Sequence, residues 1–311
     1  MKKVFAIALA ALMIVGMFAG CGAKEPAPET TAAAADAAAT TAAAEVELAD
    51  MTIDQLKPLI KTITDGKLTM VTSPDFAPYE FYSIAEDGTP TLAGFDIALG
   101  QYIADFIGLE LEVIPMDFDG TIAEIGAGKA DIAMAGYSPD PKRANAMFFS
   151  DVYYTGGQSF VTSKANADKF PTLADANAAG MQIGAQLASI QEGLAKENCP
   201  DADVISLGKV TDIVGEVINN KLDGAFVETV VAEAYAKNYE DLVVLHPVPY
   251  DAEGSVVGVN KKNEALLCAV NLAIEAALAD GSLNQFVAEA NELASGNTHE
   301  GLLNADGTAG E

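Results

Sequence analysis

Two ten-residue stretches repeat each other at a fixed offset of 92 residues, 124–133 (EIGAGKADIA) and 216–225 (EVINNKLDGA). Each reads as the end of a helix, a Lys-x-Asp turn and a buried strand. Such a repeat constrains the chain to build two similar α/β lobes. In open α/β sheets, ligands sit beyond the carboxyl ends of the strands. In the first lobe that edge is Ala135, Gly136, Tyr137 and Ser138; in the second it is Val227, Glu228 and Thr229. Two lobes presenting these edges to each other enclose a cleft.

The flanking pattern agrees with an α/β layer architecture, since short apolar runs alternate with amphipathic segments. Strands are expected at Leu68–Thr72, Leu111–Pro115, Asp131–Ala135, Gln182–Ala185, Val204–Leu207, Ala225–Val227, Leu242–Leu245 and Ser255–Val259. Helices are expected at Gly94–Ile107, Ile190–Glu197, Val210–Asn219, Val230–Asn238 and Glu264–Ala279. In the first of these, Phe95, Leu99, Ile103 and Phe106 share one face. A region of this size accommodates two domains of roughly 100 residues each.

Charge and termini limit the partners. The 311-residue chain carries a formal net charge of −28. It repels phosphate backbones, so nucleic acid is not an expected partner. Lys2 and Lys3 precede an apolar run, Val4–Val15. That run is shorter than the ~20 residues needed to span a bilayer and fits a cleaved signal peptide over residues 1–20. Residues 18–21 (FAGC) resemble the bacterial lipoprotein cleavage box, which implies a lipidated, palmitate-bearing Cys21 as membrane anchor. Residues 21–50 are mostly Ala, Thr, Glu and Pro and read as a tether with a reach of roughly 30 Å. A short N-terminal helix is expected over 51–65 and a polar tail over 296–311. Cys199 and Cys268, with His246 and His299, have no metal-ligand spacing, so neither a metal nor a cofactor is expected. A Cys199–Cys268 disulfide is disfavoured because the two cysteines fall in different lobes.

Arg143 is the only arginine in the chain. A guanidinium is planar, permanently charged, and matches a carboxylate two bonds at a time, which lysine does not.

Several motifs occur in order: residues 73–81 (SPDFAPYEF), 94–97 (GFDI), 115–120 (PMDFDG), 136–143 (GYSPDPKR) and 149–154 (FSDVYY). Together they resemble the extracytoplasmic solute-binding proteins, family 3, that serve polar amino-acid ABC transporters. The resemblance covers roughly residues 66–295. It implies a two-lobed periplasmic-binding-protein-like fold of type II, with two strand crossovers forming a hinge near Gln158–Ser163 and Ala252–Val257. Lobe one is then 66–157 plus 254–295, and lobe two 159–250.

Position by position, the resemblance implies that Arg143 grips a ligand α-carboxylate with Ser138 beside it. Gly136 offers a backbone contact to the α-amino group. Ser189 belongs to a lobe-two loop at a helix N-terminus, a natural anion site. Glu228 pairs with the ligand ammonium, and Phe76 and Phe118 flank its side chain, with Tyr137 also lining the pocket. Ser73 stands where binders of basic and amide amino acids often carry aspartate, which weakens the case for a cationic side chain.

The expected function is that of a lipid-anchored, monomeric, extracytoplasmic receptor. It would bind a free L-amino acid between the lobes, anchor in the bilayer through Cys21 and deliver the solute to an ABC permease. It is not expected to be an enzyme. The alternatives are a cyclohexadienyl-type dehydratase of small carboxylic acids on the same fold, with Glu228 as general acid, and an amino-acid-sensing lipoprotein.

Overall fold

The computed structural model describes residues 47–84, 88–251 and 254–295, all within one compact unit, Val46–Glu311. Cys21, the expected signal segment, most of the 21–50 tether, the 296–311 tail and Ala252 and Glu253 of the second expected crossover lie outside the described residues.

The first half of the unit contains helix α1 (Ile53–Leu56) and strands β1 (Lys67–Thr72), β2 (Asp75–Phe76), β3 (Glu80–Ile84) and β4 (Pro90–Ala93). It continues with α2 (Phe95–Ile107), β5 (Glu110–Pro115), α3 (Phe118–Gly126), β6 (Ile132–Ala133) and β7 (Met147–Tyr154). The second half holds β8 (Gln158–Ser163), β9 (Gln182–Gln186), α4 (Ile190–Asn198), β10 (Asp203–Leu207), α5 (Val210–Ile218) and β11 (Gly224–Glu228). It ends with α6 (Thr229–Asn238), β12 (Leu242–Pro247), β13 (Ser255–Asn260), α7 (Glu264–Asp280) and α8 (Ser282–Ala294).

Two five-stranded sheets carry the lobes, in the orders β5-β1-β6-β13-β7 and β10-β9-β11-β8-β12. In each, three parallel strands are followed by two in antiparallel pairing. A smaller sheet, β2-β3-β4, flanks the first lobe. The chain passes from β7 in one sheet to β8 in the other, and returns from β12 to β13. The first crossover therefore occupies residues 155–157. Gln158–Ser163, read from the sequence as the crossover, is a buried lobe-two strand paired on both sides, with β11 and β12.

The sequence repeat has a physical cause. Helices α3 and α5 occupy equivalent positions, and each ends in a Schellman turn whose C′ residue is left-handed, Gly128 at φ +73° and Asn220 at φ +56°. Gly and Asn are the residues that tolerate that conformation. Lys129 N donates to Glu124 O at 3.0 Å, and Lys221 N donates to Glu216 O at 2.9 Å. The aspartate two residues on then starts the next strand by the same double bond in both lobes. Asp131 N donates to Thr69 O at 2.9 Å and its carboxylate accepts from Thr69 N at 2.9 Å. Asp223 N donates to Gln182 O at 2.8 Å and its carboxylate accepts from Gln182 N at 3.0 Å.

Helix α2 buries Phe95, Leu99, Ile103 and Ile107 against α7, α8 and β1. Ile107, rather than Phe106, completes the stripe, and Gly108 ends the helix in the left-handed region. The helix expected over 51–65 is the single turn α1 followed by one 3-10 turn, Lys57–Leu59, where Pro58 has no N–H to continue the α-helical ladder. The segment that follows is tied down instead, with Ile63 N donating to Asp131 Oδ1 at 3.0 Å.

Candidate functional site

Arg143 closes a single 3-10 turn, Pro141–Arg143, that follows the loop after β6. Asp140 caps this turn by accepting from Lys142 N at 2.9 Å. The turn carries the arginine into the seam between the lobes, where it is only 7% exposed. Its guanidinium carbon lies 5.3 Å from the Phe118 ring centroid and 5.6 Å from that of Tyr137. It donates to Ser138 O at 3.4 Å and, across the seam, to Ala188 O at 3.0 Å. Among the described residues every ion pair is made by a lysine, and none reaches Arg143. Burial lowers its pKa, yet a guanidinium remains charged at neutral pH. A buried cation held by aromatic faces and carbonyl oxygens, with Asp140 acting on it only through its field and no carboxylate in ion-pair contact, is electrostatically incomplete.

Glu228, at the end of β11, is the opposite case. It is 4% exposed and serves as N-cap of α6, accepting from Val231 N at 3.0 Å. The Tyr79 hydroxyl of lobe one approaches its other oxygen at 3.5 Å, a contact at the limit of hydrogen bonding. Burial raises its carboxyl to about 7, opposed by the Val231 and Val230 N–H groups of α6, the Gly157 N–H and the Tyr79 hydroxyl. Ser189 caps α4, accepting from Glu192 N at 3.2 Å while donating to Gln186 O at 2.6 Å. The residue before it, Ala188, adopts a left-handed φ of +62°. Such strain in a non-glycine residue persists only where its surroundings hold it, and it turns the Ala188 carbonyl toward Arg143.

On the lobe-one side, Gly136 also has positive φ, and a Cβ there would lie 2.6 Å from the Phe76 ring. Its N–H donates to Asp96 Oδ2 at 3.0 Å, and Asp96 Oδ1 accepts from the Tyr153 hydroxyl at 2.6 Å. Phe76 packs on Tyr79 with centroids 5.3 Å apart, and Phe118 on Tyr137 at the same separation. Phe76, Phe118 and Ser138 are each 6% exposed, whereas Tyr137 is fully buried with its hydroxyl bonded to Thr121. Tyr137 thus stands behind Arg143 and does not front open space.

Several groups in the seam were not singled out by sequence. Asp75 is 7% exposed and accepts from Ser73 Oγ at 2.9 Å, so a carboxylate stands beside Ser73 after all, two residues along the chain. Burial lifts it to about 6, opposed by Val210 N–H and Ser73 and assisted by Asp117. Gln158 and Gln191, both buried, bond to each other at 2.8 Å. Glu80 is fully buried, and burial with Asp96 and Asp75 nearby holds it well above the usual carboxylate range, hence neutral. The motif 73–81 contained Asp75, Tyr79 and Glu80, but their partners lie up to 176 residues away and become visible only in the fold.

Comparison with known proteins shows the family and the fold of the chain. A family model described as bacterial extracellular solute-binding proteins, family 3, matches residues 68–290. The chain is 33% identical over 202 residues to the arginine-binding extracellular protein ArtP of Bacillus subtilis, covering 64% of this chain and 76% of that protein. It superposes with a TM-score of 0.69 on the amino acid ABC transporter substrate-binding protein AbpA from Streptococcus pneumoniae bound to L-arginine. Identity there is 30%, covering 74% of this chain and 96% of the other. A cyclohexadienyl dehydratase of Pseudomonas aeruginosa matches at 25% identity over 194 residues, 62% of this chain and 71% of that enzyme.

Proposed function

The chain belongs to the bacterial extracellular solute-binding proteins, family 3, an extracytoplasmic family, and from that premise we propose that it captures a free basic L-amino acid between its lobes for an ABC importer. One observation carries the reading: Arg143, the chain's only arginine, is buried in the seam with no carboxylate of the described residues in ion-pair contact. A ligand α-carboxylate would complete it with two parallel hydrogen bonds. Glu228, buried at the facing strand end, would take the α-ammonium with its oxygen nearer Tyr79, while the other oxygen goes on capping α6. Because the two charges belong to different lobes, the solute favours the closed arrangement by contacting both.

The relatives support a solute with a positive side chain, since ArtP is an arginine-binding protein and AbpA holds L-arginine, the compound to test first. Phe76 and Phe118 would flank that side chain; Ser138, Gly136 and Ser189 would frame the polar end. In this reading Cys21 carries the lipid anchor, residues 21–50 form the tether, and a membrane permease accepts solute from the closed form. Binding is favoured over dehydration because Glu228 already spends one oxygen on the α6 amides.

A thermal-shift screen against the twenty common amino acids tests the proposal. Arginine and lysine are expected to raise the melting temperature most. Stabilisation by acidic or purely aliphatic amino acids alone would overturn the basic-solute reading. Turnover of a cyclohexadienyl acid would overturn the assignment as a binding protein.

A further inference from the structure

The seam also contains a contact built wholly from protein atoms. Lobe-two helices α4 and α6 are capped by their own residues, Ser189 and Glu228. Helix α5 is not: its N-cap is Lys209, whose side chain makes no capping bond. The first four N–H groups of a helix have no intrahelical acceptor. At α5 the first of them, Val210 N–H, donates at 2.5 Å to Oδ2 of Asp75, which belongs to lobe one. The same oxygen accepts from Gln186 Nε2, at the end of β9, at 3.3 Å. The Asp75 backbone carbonyl accepts from the Tyr235 hydroxyl of α6 at 3.0 Å. Three separate elements of lobe two therefore converge on one lobe-one residue, itself steadied by Ser73.

We propose that Asp75 is the positioning residue of lobe closure, supplying across the seam the helix cap that α5 lacks. By holding α5 and Gln186 it sets the spacing between the strand end bearing Ser73 and Phe76 and the loop bearing Ser189. The inference goes beyond solute identity, because it concerns how two lobe-two donors and Ser73 engage the Asp75 carboxylate across the seam.

The test uses two changes that remove the bond from opposite sides. Asp75→Ala deletes the acceptor. Val210→Pro deletes the donor and leaves the carboxylate intact, at a first helical position that suits proline and after a residue, Lys209, already extended at ψ 140°. Small-angle X-ray scattering of the ligand-free full chain reads lobe separation, and stopped-flow reads L-arginine dissociation. Both variants are expected to show a larger ligand-free radius of gyration and about tenfold faster dissociation, as for the loss of one buried cap. The double variant should be no worse than the poorer single one, and Asp75→Asn, which keeps a carbonyl acceptor, should restore wild-type behaviour to within about twofold. If Val210→Pro matches wild type while Asp75→Asn speeds dissociation, Asp75 acts on the solute and the proposal fails. It fails equally if Asp75→Ala leaves the radius of gyration unchanged. The scattering arm reads ligand-free protein, so it decides the matter even if L-arginine proves not to bind.

Discussion

The two lobes are most alike where their strands begin and least alike where they end. At the strand starts, Asp131 and Asp223 make the same pair of backbone bonds after the same Schellman turn, 92 residues apart. At the strand ends, lobe one presents a buried cation on a 3-10 turn, and lobe two presents a buried acid that caps a helix. The difference separates two tasks. Strand starts solve a folding problem common to both lobes and keep a common solution. Strand ends face each other, and the proposed capture of a solute with opposite charges at its two ends would call for unlike chemistry on the two walls.

Substitutions at the ends should therefore change affinity, and substitutions at the starts should change stability. The largest effect is expected for Arg143→Ala, a loss of ~2–5 kcal/mol in L-arginine affinity by calorimetry, the usual result of stripping the partner from a buried charge. Arg143→Lys should recover only part of it, since an ammonium lacks the bidentate fork.

Next comes Asp131→Ala, expected to lower urea stability by about 2–4 kcal/mol because it leaves the Ile63 and Thr69 N–H groups unpaired. Asp223→Ala should cost less, because only Gln182 N–H depends on it among backbone donors and its side chain is 24% exposed. Neither should alter affinity once the protein is folded. A large affinity change in Asp131→Ala with stability intact would break the division between starts and ends.

Glu228→Gln should weaken binding by roughly 1.5–3 kcal/mol, the worth of a hydrogen bond to a charge, while the amide oxygen continues to cap α6. Little change in unfolding free energy is expected.

The smallest effect is the pH dependence. With its carboxyl raised to about 7, Glu228 is partly protonated in the ligand-free protein near neutrality, and pairing with an ammonium requires it ionised. Binding should therefore release a proton, and affinity should fall by up to about tenfold per unit as pH drops below 7. Calorimetry in buffers of different ionisation enthalpy reads the proton directly. Stability should run the other way. Glu228, Asp75 and Asp96 all have raised carboxyls, at about 7, 6 and 6, so the stability they contribute is present at low pH and lost as pH rises through 6–7. The ligand-free melting temperature should be higher at pH 5 than at pH 8.

The same contrast explains what could be read in the sequence. The repeat was legible because helix cap, turn and strand start are local devices with fixed residue types at fixed spacing. The central parallel strands were legible as short apolar runs. Strand β7 was not recognised, because β-bulges against β13 break its alternation. The small β2-β3-β4 sheet escaped because β2 is only two residues long and β3 and β4 are short and only partly buried. At the site, Arg143 stood out by its rarity. Asp75 did not, although it lies two residues from Ser73, because its meaning depends on Val210, Gln186 and Tyr235 in the other lobe.

The most direct test of the central claim changes the ligand. Agmatine carries the guanidinium side chain and the chain length of L-arginine but no carboxylate. Calorimetric titration of the wild-type chain should show L-arginine binding at least about 100-fold more tightly, and the gap should vanish in Arg143→Ala. Equal binding of the two compounds by the wild type, or a gap that survives in Arg143→Ala, would contradict the assignment of Arg143 to the carboxylate.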